Sequence, residues 1–296
     1  MSTQNKKLSV TDKVLNLPPL RVTLERFDLQ PKKSMGQNFL LDLNITQKIA
    51  RQAGRLEGAN VLEIGPGPGG LTRAILGSGV GHLTVVEKDA RCLGVMAELS
   101  ELADGSMSIR NMDALELDIG VLDPKPQHII ANLPYNVATP LLIGWLRHVY
   151  DAQQSDGVPS ELKSMVLMFQ KEVGERIYAS AGGKTYGRLA ILSQWLCQTA
   201  PCFELPPEAF TPPPKVTSIV VKLEPRAEPL FPATFEEIES LAQTLFGQRR
   251  KMLRQTLKKL TPNVAETLEK AGIDGTRRAE TLELMEFGAL LTALRG

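Results

Sequence analysis

The chain reads as an α/β protein: a Rossmann-like, mainly parallel sheet of seven strands covered by helices, followed by a small helical domain. Three observations carry that expectation. Short apolar runs alternate with helical spacing from residue 59 to residue 225. A glycine-rich turn follows the first of those runs, and beyond Pro225 the apolar spacing is helical only.

Taken in order, residues 1–30 carry Lys6, Lys7, Lys13, Arg21 and Arg26 mixed with Asp12, Glu25 and Asp28. No apolar core of a signal peptide follows, and the acids argue against a transit peptide, so a short solvated extension is expected. Residues 60–64 form an apolar strand ending in glycines, and 71–76 a helix. Residues 82–87 form a second strand followed by a helix over 90–102, and 108–112 a weaker third strand. A fourth strand covers 128–131, and its helix is expected to start at Thr139, with Pro140 at the first helical position. Residues 164–169 form a fifth strand with a helix from Lys171. Two strand-like stretches, 196–205 and 216–223, suggest an added hairpin. Helical spacing then covers 234–246, 249–260, 263–271 and 276–294, punctuated by Gly247, Pro262 and Gly272. The expected domains are therefore an extension (1–30), an α/β domain (31–227) and a helical domain (228–296), joined by a linker from Pro225 to Pro232.

With 296 residues, 43% hydrophobic and 23% charged, the chain has the composition of a globular protein with a sizeable core. Its apolar runs are too short to span a bilayer, so no membrane partner is expected. Cys92, Cys197 and Cys202 form no CxxC pair, and His82, His128 and His148 are isolated. This suggests a reducing compartment, the cytoplasm, and no metal site. A net charge of +1 does not by itself call for a polyanionic partner, so local clusters must carry that argument.

The strongest local signal is Glu63-Ile64-Gly65-Pro66-Gly67-Pro68-Gly69-Gly70, between a strand and a helix. Glycines there let the backbone turn sharply and approach a ligand, although a lone motif of this kind is also an ordinary turn. Glu87 ends the next strand at about the 20-residue interval used by ribose-binding carboxylates, and Asp113 follows the third strand. Acids at successive strand ends suit ribose hydroxyls, a cationic centre and an adenine amine, and they suit a pyrophosphate badly. S-adenosylmethionine meets that description, with another nucleotide as the alternative. Asn132-Leu133-Pro134-Tyr135 follows the fourth strand. As a turn it needs no explanation, but an amide oxygen can accept from an exocyclic amine and a tyrosine can stack on a base.

Asn132-Leu133-Pro134-Tyr135 resembles the (D/N)PP(Y/F)-type motif of amino-methylating enzymes, in the form typical of ribosomal RNA adenine dimethyltransferases. Lys33-Ser34-Met35-Gly36-Gln37-Asn38-Phe39-Leu40 is similar to that family's N-terminal cofactor motif. Tyr186-Gly187-Arg188-Leu189 resembles its mid-chain signature, and Phe210-Thr211-Pro212-Pro213-Pro214-Lys215-Val216 its late aromatic-proline motif. Gln248-Arg249-Arg250-Lys251 is similar to its C-terminal domain, and the last two segments look most like the branch acting on the bacterial small subunit.

The resemblance implies a class I methyltransferase fold and S-adenosylmethionine as cofactor. It further implies N6,N6-dimethylation of two adjacent adenosines in the 3′-terminal hairpin of small-subunit (16S) ribosomal RNA, within an immature 30S particle, by a monomer. The alternatives are a large-subunit methyltransferase conferring antibiotic resistance and a non-catalytic assembly factor. By the same resemblance Asn38 and Leu40 contact the methionine end of the cofactor, which without it would read as a cap and a core residue. Gly65 and Gly67 form the loop beneath the cofactor and Glu63 supports it. Glu87 accepts from the ribose, Asp113 from the adenine with Ala114 nearby, and Asn132 stands where cofactor and substrate meet. For catalysis, the Asn132 oxygen and the Leu133 carbonyl are expected to accept the target amine's protons, with Tyr135 and Phe210 sandwiching a flipped base. Arg249, Arg250, Lys251, Arg254, Lys258 and Lys259, without an acid among them, are expected to face phosphates from one helix, the competing reading being a solvated face.

Overall fold

The computed structural model describes residues 8–32, 35–155 and 161–296. Nine strands run through them: β1 (Phe39–Leu40), β2 (Asn60–Ile64), β3 (His82–Glu87), β4 (Met107–Asn111), β5 (His128–Asn132), β6 (Ser164–Gln170), β7 (Cys197–Leu205), β8 (Phe210–Thr211) and β9 (Ser218–Pro225). Seven form one sheet in the order β4-β3-β2-β5-β6-β9-β7, and β1 pairs antiparallel with β8 in a separate ladder. The pairs among β2 to β6 are parallel. This is the Rossmann-like class I methyltransferase architecture, with β9 set between β6 and β7.

The chain divides into two compact units. The first comprises Met1–Leu142, Glu161–Lys171 and Cys202–Lys222; the second comprises Ile143–Ser160, Glu172–Pro201 and Leu223–Gly296.

In the first unit the central strands are buried on both faces, which is why they read as unbroken apolar runs. Leu83, Val85, Ile129, Ile130 and residues 165–169 are at most 1% exposed. Strands β2, β3 and β4 step outward in one direction, whereas β5 and β6 lie on the other side of β2. The topological switch point therefore falls between β2 and β5, and the loops that leave those strands flank the crevice where such sheets bind ligands.

The expected solvated N-terminal extension is instead part of this core from Ser9 onward; Lys6 and Lys7 lie outside the described residues. Helices α1 (Val10–Leu15) and α2 (Leu20–Arg26) bury Val14, Leu20 and Thr23, and Val14 and Leu29 join the hydrophobic core cluster. Helix α3 (Leu43–Gln52) precedes β2, and α4 (Gly70–Leu76) starts at the glycine turn. Arg73 on α4 is buried and donates to the Pro18 carbonyl at 2.6 Å and to Thr23 Oγ1 at 2.8 Å, tying the α1–α2 hairpin to α4. Helix α5 (Leu93–Leu102) meets that hairpin through Gly94, where an added Cβ would lie 2.8 Å from the Phe27 ring.

A second expectation also shifts. Helix α6 runs Tyr135–Gln154, so Thr139 is no cap and Pro140 lies inside the helix. Its lost N–H falls where the Asn136 carbonyl would have been the acceptor. The Val137 N–H bonds the Pro134 carbonyl, closing the first turn four residues before the expected start. Tyr135 consequently stands on a helix rather than in a loop.

In the second unit, α7 (Lys171–Tyr178) leads to α8 (Arg188–Leu196), whose Trp195 anchors an aromatic cluster with Tyr150, Phe231 and Phe235. Trp195 Nε1 donates to the Phe231 carbonyl at 2.9 Å, and the Leu230 N–H to the Trp195 carbonyl at 2.9 Å. The segment expected as a linker is thus packed onto α8. Helix α9 (Phe235–Phe246) opens with a Thr234–Glu237 capping box and buries a stripe of Phe235, Ile238, Leu241, Ala242 and Leu245. The single helix expected over 249–260 is broken: a turn precedes α10 (Leu253–Thr256), a 3-10 turn over Leu257–Lys259 follows, and Met252 bridges to Arg278. Helices α11 (Val264–Ala271) and α12 (Leu284–Arg295) complete the unit, Gly272 ending α11 in the left-handed region.

Candidate functional site

The C-terminal ends of β2, β3 and β5, with residues 35–40 and the start of α6, enclose a cavity of about 250 Å³. All of its walls belong to the first unit. Gly65 and Gly67 line it, with φ of 68° and 53°. Gly67 has a second constraint, because a Cβ there would come within 3.3 Å of the Phe39 ring. The turn therefore brings bare backbone to the cavity, as the sequence pattern implied.

Glu87 reaches the cavity from the end of β3 with both carboxylate oxygens partly engaged. Gly67 N–H donates to Oε2 at 3.1 Å, and Asp89 N–H donates to Oε1 at 2.7 Å. Burial pushes its pKa up, and these two N–H groups oppose that shift. Each oxygen retains acceptor capacity for a diol. Asp113 and Ala114 line the cavity beyond β4. Asp113 Oδ1 accepts from the Leu115 N–H, and Oδ2 forms an ion pair of 2.7 Å with Lys88, which holds its carboxyl below the usual range.

Asn132 ends β5. Its Nδ2 donates to the Asn38 carbonyl at 3.3 Å, which fixes the amide's sense and leaves Oδ1 able to accept. Leu133 and Tyr135 line the cavity beside it, and the Tyr135 hydroxyl shares a 2.7 Å hydrogen bond with Ser218 Oγ. Asn38 and Leu40 form part of the facing wall.

Two expected residues do not line the cavity. Glu63 points into the protein below the glycine turn; it is fully buried and Oε2 has no hydrogen-bond partner. Burial, reinforced by Glu87 and opposed by the Thr72 hydroxyl, raises its pKa from 4.5 to about 8. Phe210 pairs with Leu40 in the β1–β8 ladder, is 3% exposed and belongs to the core cluster rather than the cavity wall. Phe210 therefore does not line the cavity beside Tyr135 as the expected sandwich requires.

The basic segment is likewise less uniform than its sequence. Arg249 donates to Glu280 at 2.8 Å and to the Gly183 carbonyl at 3.0 Å. Arg250, Lys251, Arg254, Lys258 and Lys259 are exposed. Lys33 and Ser34, which belong to the N-terminal motif, lie outside the described residues.

Sequence reading gave no role to Gln37, Asp89 and Arg91, which form a polar cluster beside the cavity, Gln37 on its wall: Gln37 Nε2 donates to Asp89 Oδ2 at 2.8 Å, and Arg91 Nε to Asp89 Oδ1 at 2.9 Å. The available signal was an Asp two residues after a strand-ending Glu. Among the described residues no helix is long and apolar enough to cross a membrane, and no group of three or more His, Cys, Asp and Glu could hold a metal ion.

The donor set fits S-adenosylmethionine. Carboxylates stand where ribose and amine donors would be met, and bare backbone lies beneath them. Lys88, the one cationic side chain on the wall among the described residues, is already paired with Asp113, so that wall offers carboxylates rather than an unengaged cation.

Comparison with known proteins agrees. The family described as "Ribosomal RNA adenine dimethylase" matches residues 29–294. The chain is 50% identical over 279 residues to "Ribosomal RNA small subunit methyltransferase A" of Rhodospirillum rubrum, covering 94% of this chain and 93% of that one. It is 53% identical to the protein of the same name from Brucella anthropi, covering 94% and 97%. Among solved structures, a dimethyladenosine transferase from Plasmodium falciparum superposes with a TM-score of 0.70 at 26% identity, covering 85% of this chain and 95% of that one. The 23S rRNA methyltransferase ErmE, at 24% identity and a TM-score of 0.63, covers 88% of this chain and 100% of its own; it shares the fold.

Proposed function

The chain belongs to the ribosomal RNA adenine dimethylase family, and from that membership we propose that it dimethylates N6 of two adjacent adenosines in the 3′-terminal hairpin of small-subunit (16S) ribosomal RNA. Its cofactor is S-adenosylmethionine, which when bound supplies a methyl group made electrophilic by a sulfonium centre. The observation that supports the reading is the Asn132 amide on the cavity wall at the switch point, its Nδ2 engaged by the Asn38 carbonyl so that Oδ1 keeps its acceptor capacity, with Tyr135 on the same wall.

The residues divide the work. Glu87 holds the ribose hydroxyls, and Asp113, shared with Lys88, accepts from the adenine amine beside Ala114. Gly65 and Gly67 present backbone beneath the cofactor, while Asn38 and Leu40 meet its methionine end. Asn132 Oδ1 and the Leu133 carbonyl accept hydrogen bonds from the N–H groups of the target amine, which keeps its protons until after transfer. That turns the nitrogen lone pair out of conjugation with the purine ring and stabilises positive charge growing on nitrogen. A methylated amine that is still cationic is a strong acid, so its proton leaves to solvent without a dedicated base; among the described residues no histidine lines the cavity. Tyr135 stacks on the flipped base, its ring steadied by Ser218.

The partner is the small-subunit RNA inside an immature 30S particle, met by a monomer in the cytoplasm. The 228–296 region supplies binding surface through Arg250, Lys251, Arg254, Lys258 and Lys259. Arg249, tied to Glu280 and Gly183, mainly braces that surface. Charge reversal at Arg250 and Lys251 should flatten the salt dependence of particle binding by about one log–log unit for each phosphate no longer neutralised.

The deciding experiment offers tritiated S-adenosylmethionine with immature small subunits and with large subunits in parallel. Dimethyladenine confined to small-subunit RNA supports the reading. Label in the large subunit, or in neither, overturns it.

A further inference from the structure

We infer that Gln37, Asp89 and Arg91 form a strut beside the cavity that sets the orientation of Asn132, the amine acceptor of the proposed methyl transfer on whose assignment this role rests.

The strut can be followed bond by bond. Arg91 is planted on two neighbours: Nε bonds Asp89 Oδ1 at 2.9 Å, and Nη1 bonds the Gln30 carbonyl at 2.9 Å. Asp89 faces both ways. Its N–H donates to Glu87 Oε1 at 2.7 Å, and its Oδ2 accepts from Gln37 Nε2 at 2.8 Å. The amide sense of Gln37 is fixed independently, because the Lys32 N–H at 2.9 Å and Arg91 Nη2 at 3.3 Å both donate to Oε1. Gln37 is joined to Asn38 by one peptide bond, and the Asn38 carbonyl holds Asn132 Nδ2. On its far side this dipeptide is pinned where Phe39 and Leu40 pair with Thr211 and Phe210.

The end of β3, which carries the ribose carboxylate, is thereby tied to the end of β5, which carries the amine acceptor. Gln37, Asn38, Glu87 and Asn132 line the cavity, whereas Asp89 and Arg91 stand outside it. Asp89 and Arg91 are therefore positioning residues. Asp89 is 4% exposed, and Arg91 with Gln37 holds its carboxyl down at about 2, so it stays ionised across the working range and the bonds to it are charge-assisted.

Without the strut the Asn38 carbonyl has a less fixed place, and the Asn132 amide can rotate. Losing one net hydrogen bond of roughly 1 kcal/mol corresponds to about a fivefold change, and Gln37→Ala removes three. The test uses cofactor-free full-length protein labelled with 15N-asparagine. In Gln37→Ala the Asn132 side-chain amide protons should exchange at least about fivefold faster than in wild type. Single-turnover methyl transfer at saturating cofactor should fall about tenfold, with binding to the small-subunit particle unchanged. Asp89→Asn, which keeps an acceptor for the Arg91 backbone N–H, should show the same pair of effects. Gln37 is only half-buried, so Gln37→Ala should fold even if Asp89→Asn does not.

Unchanged Asn132 exchange in Gln37→Ala overturns the strut. So does a slower transfer unaccompanied by faster exchange, since the loss would then not pass through Asn132. If the exchange result holds while wild-type protein methylates no small-subunit RNA, the functional reading fails and the strut stands.

Discussion

The two ends of the sheet treat their polar groups differently. At the N-terminal ends of the strands, polar groups are paired across neighbouring segments. Gln127 N–H bonds the Asn60 carbonyl at 2.8 Å while its side chain accepts from the Asn60 N–H at 3.2 Å. His82 meets Ser108 at 2.9 Å, and His128 meets Ser164, its direct partner in register, at 2.8 Å. At the C-terminal ends, Glu87 is held by backbone N–H groups, and Asn132 has donated its amide and keeps its oxygen. One end of the same strands has its hydrogen bonding closed and the other has acceptors in surplus. A surplus of oriented acceptors beside a cavity marks a ligand site better than the presence of polar residues does.

The largest break in this comparison should come from Asn132→Ala. Removing an acceptor that acts on charge developing in the transition state costs about 10²- to 10³-fold in rate. Quench-flow single turnovers should show that loss with particle affinity intact; a normal rate would move the chemistry away from β5. Tyr135→Ala should follow, at about 5- to 150-fold if base stacking is its role. Tyr135→Phe keeps the ring and loses only the Ser218 bond, so it should retain most of the rate. Equal losses in both variants would implicate the hydroxyl instead.

Glu63 sharpens the comparison through pH. Its pKa of about 8 in the fold lies above the 4.5 expected when unfolded, so the folded state holds more protons between those values. Stability should therefore decline as pH rises from about 5 to about 8. Glu63→Gln, a neutral stand-in for the protonated acid, should remove most of that decline, a difference of about 4 kcal/mol near the folded pKa in urea unfolding. Identical pH slopes in both proteins would mean that Glu63 is ionised in the fold. The smallest effect belongs to the closed end. Ser164→Ala leaves buried His128 short of a partner and should cost about 1 kcal/mol of stability, with no change in transfer rate. A slower rate would mean that the N-terminal ends also shape the site.

Much of the open end was legible in the sequence. Glu87 and Asn132 terminate unmistakable apolar runs, and a parallel sheet places successive strand ends side by side without further information. What escaped reading depended on tertiary partners. Short α1 and α2 looked like a solvated extension because their few apolar residues, Val14 and Leu20 among them, make sense only against α4 and α5. Pro140 looked like a helix start because nothing local shows that the Leu133-Pro134 corner has already launched α6. The basic segment looked like one helix because a run of cations conceals that Arg249 is consumed by Glu280 and that Met252 bridges to Arg278. Phe210 looked like a stacking platform, but it packs in the core cluster and does not line the cavity, which no local sequence signal shows.

The β1–β8 ladder has a consequence in time as well as in space. Phe39 and Leu40 are made early in synthesis, and their partners Thr211 and Phe210 follow about 170 residues later. Strands β2 to β6 are all complete before those partners exist, so a nascent chain can assemble the parallel half of the sheet while the front wall of the cavity still lacks its pairing. The closure of such distant segments is among the slow steps of folding. A chain halted before residue 210 would carry the glycine turn, Glu87 and Asn132 in place yet leave residues 35–40 without their anchor. The pairing of that cavity wall is therefore completed late in translation, when nearly three-quarters of these residues have already been made.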